Sequence, residues 1–228
     1  MKTYLILAAQ KEELDGLFAS LEYTKENVLD IEIYSSVKDD IKIYGLVSGI
    51  GKAGMAYTMG VFLAKYKVDY IINIGVAGSI SSKLKKMETF ISERVCYWDV
   101  DLTKFGHPLG EMSDCPLYFE ADKELLEKAR SLKNESVKYG LIISGDSFIS
   151  KDNIKPEWFK QFDDPIACDM ESATVGQIAY RNKIPFLIIR AISDDPRSED
   201  DNKSVYEFNL EKAAYEAGKF TKEVIFSK

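Results

Sequence analysis

One histidine, three cysteines and six prolines among 228 residues set the first limits on what this chain can be. His107 by itself excludes a multi-histidine metal centre, and any serine-histidine-acid triad would have to use that one imidazole, set in a Phe-Gly-His-Pro turn. Cys96, Cys115 and Cys168 are odd in number, widely spaced and without a Cys-x-x-Cys pair. Neither a disulfide framework nor a zinc site follows from them, and they read as reduced thiols of a cytoplasmic protein. Positive charge is short as well: 30 Lys and Arg face 37 Asp and Glu, a net charge of -7. That balance argues against a nucleic-acid partner, which would need a basic face. No stretch approaches the ~20 apolar residues of a membrane span. The apolar run at 4–9 is too short for a signal peptide and meets Lys11, Glu12 and Glu13 at once. Small-molecule chemistry is the expectation that survives.

What the chain does have is apolar content, 46% of residues. A chain of this length folded as a single domain, residues 1–228, buries roughly 70% of its unfolded surface. Strand-like runs at 4–9, 31–35, 41–47, 70–74, 137–143 and 186–192 alternate with helical patterns at 12–20, 54–66, 122–133, 172–181 and 205–225. The alternation predicts an α/β fold, a three-layer α/β/α sandwich with a mixed, mostly parallel central sheet. In the last helix Leu210, Ala213, Ala214, Ala217, Phe220 and Val224 form one apolar stripe toward that sheet. Residues 98–117 and 194–204 read as loops, the segments on which α/β enzymes dock ligands.

Gly49-Ile-Gly51-Lys-Ala-Gly54 is a literal Gly-x-Gly-x-x-Gly between a strand and a helix, the arrangement that seats a pyrophosphate on a helix N-terminus. The dinucleotide fingerprint also needs an acid about 20 residues on, at the end of the next strand. Asp69 has the offset but precedes its strand, which ends instead in Gly75-Val-Ala-Gly78. The glycines are then read as a tight strand-to-helix turn.

Two acids near strand ends carry more. Ile166-Ala-Cys-Asp-Met-Glu171 and Ile188-Ile-Arg-Ala-Ile-Ser-Asp194 each bring a carboxylate to one edge of the sheet. As bare residues, Asp194 suits a turn cap as well as a proton donor, Glu171 suits the first turn of a helix, and Phe148 suits the core. Glu12 and Glu13 are ordinary acids at a helix start.

These segments, with Glu12 after the first strand, Ser144-Gly-Asp-Ser-Phe-Ile149 and Gly75-x-Ala-Gly78, resemble the bacterial methylthioadenosine/S-adenosylhomocysteine nucleosidases of the nucleoside phosphorylase family. The resemblance spans essentially the whole chain. It implies hydrolysis of the N-glycosidic bond of an adenine nucleoside, without metal or organic cofactor, in a symmetric homodimer. Asp194 would assist departure of the base at N7, with Ser193 hydrogen-bonding the acid or the base. Glu171 would hold the ribose hydroxyls and favour positive charge on the ring, with Met170 packed beneath the sugar. Glu12 would activate the water, on an ungapped count from Met1 that prefers it to Glu13. Phe148 would stack on adenine and the backbone of Ile149 would read its edge, while Ile50 lines the sugar-tail end. Phe105 and His107 would reach a neighbouring subunit's pocket.

The match departs at Val76 and in the segment from Phe105 to Pro108. Val76 stands where many such enzymes have a serine that fixes the water, so Arg190 is expected to share that role. The segment Phe105-Gly-His107-Pro differs from the family's Phe-Gly-Tyr. No arginine lies beside the end of the first strand, which favours hydrolysis over phosphorolysis. A purine nucleoside phosphorylase, a futalosine hydrolase and a nucleoside-binding protein without turnover are the alternatives.

Overall fold

The computed structural model describes residues 1–154, 156–199 and 201–227. In chain order the elements are β1 (Lys2–Ala8), α1 (Lys11–Phe18), β2 (Thr24–Val28), β3 (Ile31–Lys38), β4 (Ile41–Val47), α2 (Lys52–Lys65), β5 (Tyr70–Ser79) and β6 (Thr89–Tyr97). There follow β7 (Phe119–Glu120), α3 (Lys123–Ser131), β8 (Lys138–Ser144), α4 (Pro156–Phe159), β9 (Pro165–Asp169), α5 (Ser172–Asn182), β10 (Phe186–Asp194) and α6 (Asn202–Phe226).

Alternation along the central strands builds two cores. On β1, Leu5 and Leu7 enter one cluster and Tyr4, Ile6 and Ala8 the other. β10 repeats the pattern, with Phe186, Ile188 and Ile192 on one side and Leu187, Ile189 and Ala191 on the other. Helices α2 and α5 cover the first face through Met55, Met59, Phe62, Ala173 and Val175. Helices α1, α3 and α6 cover the second through Leu14, Leu17, Leu125, Ala213, Phe220 and Val224. A strand buried on both faces has no polar side to show, which is why these runs are near-continuously apolar.

The sheet is mixed. Parallel ladders join β4, β1, β5 and β10 in one row and β6, β8 and β9 in another. Among the described residues these are five of ten pairings, and they carry the longer ladders, in keeping with the mixed, mostly parallel sheet expected from the strand–helix alternation. Antiparallel pairing enters where β2, β3 and β4 meander without helices and where β6 runs against β10. β5 also pairs with β9 at Gly78 and Ser79, so β5, β10, β6, β8 and β9 form a closed circuit. That closure brings the carboxyl ends of β1, β5, β9 and β10 around one hollow, where an α/β sheet offers its ligand site. β5 runs to Ser79 and β10 to Asp194, each past its expected end, so Val76 and Asp194 sit on strands.

Candidate active site

A cavity of about 520 Å³ opens at these strand ends, a size that suits a small ligand. Its walls come from the β1–α1 turn, the glycine turn before α2, the end of β5, residues 147–149, the β9–α5 junction, the end of β10 and the first turns of α6.

Helix geometry decides between the two adjacent glutamates. Successive helical residues point about 100° apart, and α1 starts at Lys11, so Glu12 faces solvent while Glu13 turns inward and is only 3% exposed. Glu12, the expected base, is therefore corrected to Glu13 as the acid that reaches the cavity. Glu13 Oε2 accepts the N–H groups of Ala9 and Gln10 at 2.8 and 2.9 Å, and Oε1 accepts that of Val76 at 3.1 Å. Burial pushes its pKa up, against the Arg190 charge and the three N–H groups, which hold it down. The result is a fixed carboxylate of increased basicity. Val76, which brings no hydroxyl to the cavity, contributes its backbone N–H to the aim of Glu13.

Glu171 is the N-cap residue of α5, delivered by the turn after β9. Its Oε1 accepts the Gly51 N–H at 2.7 Å, and Asp146 Oδ1 accepts that of Lys52 at 2.8 Å. The α2 N-terminus is thus already filled by two carboxylates, and the glycine motif there serves them rather than a pyrophosphate. Gly51 has φ +98°, left-handed territory that a side chain would strain, and it lets the backbone N–H meet Glu171. Burial and the neighbouring Asp169 push the Glu171 pKa up to about 8, against the Gly51 bond and Arg190.

Asp194 ends β10 beyond a register shift against β5 and is buried. Ser193 Oγ donates to its Oδ1 at 2.8 Å, and Asn202 Nδ2 lies 3.5 Å from Oδ2. Burial raises its pKa to about 6, with Ser193 and Asn202 opposing. A carboxyl group at that value can carry a proton near neutral pH.

Beneath these acids lies a buried ionic cluster. Arg190, 1% exposed, donates to Asp169 Oδ2 from Nε at 3.1 Å and Nη2 at 2.7 Å, and also to Asn73 Oδ1 and Ser172 Oγ. Arg190 does not line the cavity, so the expected direct part in fixing water is corrected to an electrostatic one from below. Packing explains the difference: the guanidinium is engaged by acceptors on β5, β9 and α5 and by the Ile189 carbonyl of its own strand.

Ile50, Val76, Phe148, Ile149, Met170 and Ser193 all line the cavity. Phe105 and His107 do not; Phe105 is 81% exposed in a short 3-10 turn, and His107 Nδ1 lies 2.7 Å from Glu111 Oε1. Sequence reasoning missed Gln10 and Tyr206. The Tyr206 hydroxyl accepts from Gln10 Nε2, and its ring meets Phe148 edge-on at 5.5 Å. The one signal for Tyr206 was its place in the first turns of a helix that follows the Asp194 loop.

Known proteins resemble this chain in sequence and fold. The family model for the phosphorylase superfamily matches residues 3–225. A 5′-methylthioadenosine/S-adenosylhomocysteine nucleosidase from Buchnera aphidicola subsp. Schizaphis graminum is 35% identical over 227 residues, covering 97% of this chain and 95% of that protein. A protein of the same description from Staphylococcus aureus (strain JH9) is 34% identical, with 92% of each chain covered. The crystal structure of the nucleosidase from Neisseria meningitidis in complex with methylthio-immucillin-A has a TM-score of 0.92 at 28% identity, over 100% of both chains.

Proposed function

The chain belongs to the phosphorylase superfamily, and we propose that within it this protein hydrolyses 5′-methylthioadenosine and S-adenosylhomocysteine to adenine and the free thioribose sugar. One observation carries the reading: Asp194, Glu171 and Glu13 converge on a single cavity that no arginine lines among the described residues. The lining holds five acids, Glu13, Asp169, Glu171, Asp194 and Glu207, against one cation, Lys203. Such a field repels a phosphate dianion and leaves water as the nucleophile.

In the proposed reaction Asp194, as the carboxylic acid, gives its proton to N7 of adenine as the glycosidic bond breaks, with Ser193 holding the carboxyl group in place. Glu171 keeps Oε1 on Gly51 and offers Oε2 to the ribose hydroxyls, and its charge favours the developing oxocarbenium ion. Glu13 takes a proton from the water, whose oxygen bonds to the anomeric carbon. Atoms balance: the base leaves as neutral adenine and the sugar gains a hydroxyl. Phe148 faces the base and the Ile149 backbone reads its edge, while Met170 and Ile50 enclose the sugar. Arg190 stabilises both glutamates without touching the substrate.

The working unit we propose is a symmetric homodimer, in which Phe105 and His107 close the partner's cavity. Support comes from Phe105, whose ring is 81% exposed and stands outside its own cavity. A fully active monomer in sedimentation would refute it. The compartment proposed is the cytoplasm, consistent with three free cysteines.

The test is adenine release from methylthioadenosine, S-adenosylhomocysteine and 5′-deoxyadenosine, with and without phosphate, with the sugar identified by mass. Free sugar without a phosphate requirement is expected. A sugar 1-phosphate would move the chain to the phosphorylases, and binding without release would make it a nucleoside-binding protein.

A further inference from the structure

Past the last ladder position, Ser144↔Asp169, the β9–α5 junction is held by side chains. β9 pairs with β8 along its length, but with β5 on its other side at only two positions, Gly78↔Cys168 and Ser79↔Ala167, neither of which includes Asp169. Its last residue, Asp169, makes up the difference. Oδ1 takes the Ser144 hydroxyl from β8 at 2.5 Å, and Oδ2 takes the Ser172 hydroxyl and Arg190 Nε and Nη2 from β10. Both oxygens also face the Ser172 N–H, at 3.3 and 3.2 Å, which folds residues 169–172 into a turn. Ser144 Oγ in turn accepts the Ala173 N–H at 2.9 Å, so β8 grips both ends of that turn. Glu171 is the residue the turn presents, and its Oε1 reaches Gly51 at 2.7 Å.

We propose that Asp169 is a positioning residue for the reaction: it holds the turn that aims the Glu171 carboxylate at the sugar hydroxyls, without touching the substrate's reacting atoms. This rests on the reading of Glu171 as the sugar ligand. Charge accompanies geometry. The groups that bear on Glu171 are Asp169 from β9, Arg190 from β10, Glu13 from α1 and Tyr206 from α6. Asp169 raises the Glu171 pKa, so replacing it with a neutral amide lets Glu171 ionise at lower pH.

The test compares Asp169→Asn and Ser144→Ala with the wild type, using adenine release from methylthioadenosine and calorimetric binding of methylthio-immucillin-A and of free adenine. For Asp169→Asn, kcat/KM and affinity for the sugar-bearing ligand are expected to fall about 100-fold, the cost of misplacing a ligand group by ~1 Å. Affinity for free adenine should hold, and the limb of the pH profile set by Glu171 should move to lower pH. Ser144→Ala removes one hydrogen bond and no charge. It should weaken the sugar-bearing ligand about tenfold with the limb in place. Asp169→Asn with wild-type sugar affinity and an unmoved limb overturns the proposal. If that variant does not fold, unchanged sugar affinity in Ser144→Ala overturns it. Equal weakening of adenine and of the sugar-bearing ligand also overturns it, since that reports general damage. Failure of the nucleosidase reading would look different, because the wild type would then release no adenine, or release it only with phosphate present.

Discussion

Gly75 lies directly under the Glu13 carboxylate: a Cβ at position 75 would stand 2.4 Å from Glu13 Oε1. The next residue, Val76, donates its N–H to that same oxygen at 3.1 Å. β5 therefore positions the acid twice, once by leaving space and once by supplying a donor. Gly75→Ala is expected to drive the carboxylate from its seat and lower kcat about 100-fold. The overpacking should cost ~1–3 kcal/mol of stability. Steady-state kinetics and urea unfolding check the two effects.

Glu12 and Glu13 offer a comparison within one helical turn. Glu13→Gln keeps the shape and removes the proposed base, for an expected loss of about 10²- to 10⁴-fold in kcat. Glu12→Gln changes an exposed side chain and should leave kcat and KM near wild type. Equal losses in both variants would refute the assignment of the base to Glu13.

In the proposed reaction Asp194 acts protonated and Glu171 ionised, and their pKa values are pushed up to about 6 and about 8. The wild-type kcat/KM should follow a bell with limbs near these values. In Asp194→Asn the proton donor is gone, and the small residual rate should rise through the Glu171 limb at alkaline pH, where the wild type falls. Adenine release from pH 5 to 9 reads this directly. Nucleoside binding should survive the substitution.

The same raised carboxyl carries a stability cost of known sign. Asp194 binds its proton up to about pH 6 when folded and up to about 3.8 when unfolded. Its contribution is neutral below the unfolded value, turns against folding as pH rises above it, and is complete once the pH has passed through about 6. Above that pH the penalty is about 3 kcal/mol, two pKa units at 1.36 kcal/mol each. Asp194→Asn should accordingly raise Tm at pH 8, with the gain vanishing near pH 4. Matched thermal melts at the two pH values decide it.

Arg190 is the buried countercharge to Asp169, with both side chains at most 3% exposed. Arg190→Met leaves that carboxylate without its cation and should destabilise the fold by ~3–5 kcal/mol. Denaturant unfolding measures this, and a change under 1 kcal/mol would mean that the pair contributes little.

Local pattern alone determined most of the α/β frame. β1, β4 and β10 were legible because burial on both faces demands continuous apolar residues, and α6 because one stripe had to face the sheet. β2 and β7 were not legible: β2 reads Thr-Lys-Glu-Asn-Val and β7 has two residues, and both exist through pairing with β3 and β6. β6 escaped notice for a related reason, since Glu93 and Arg94 interrupt its apolar run where its register with β8 shifts. At the site, the acids 171 and 194 were visible as polar residues at the ends of apolar strands. Which of Glu12 and Glu13 enters the cavity depended on where α1 begins, because one residue of helix turns a side chain by about 100°. Arg190 looked available to the cavity until three partners from separate elements, Asn73, Asp169 and Ser172, were found around it. Tyr206 joined the site only when α6 packed over the β1–α1 turn. Chain order records which groups are present; their direction and charge state arise from neighbours that only the folded chain assembles.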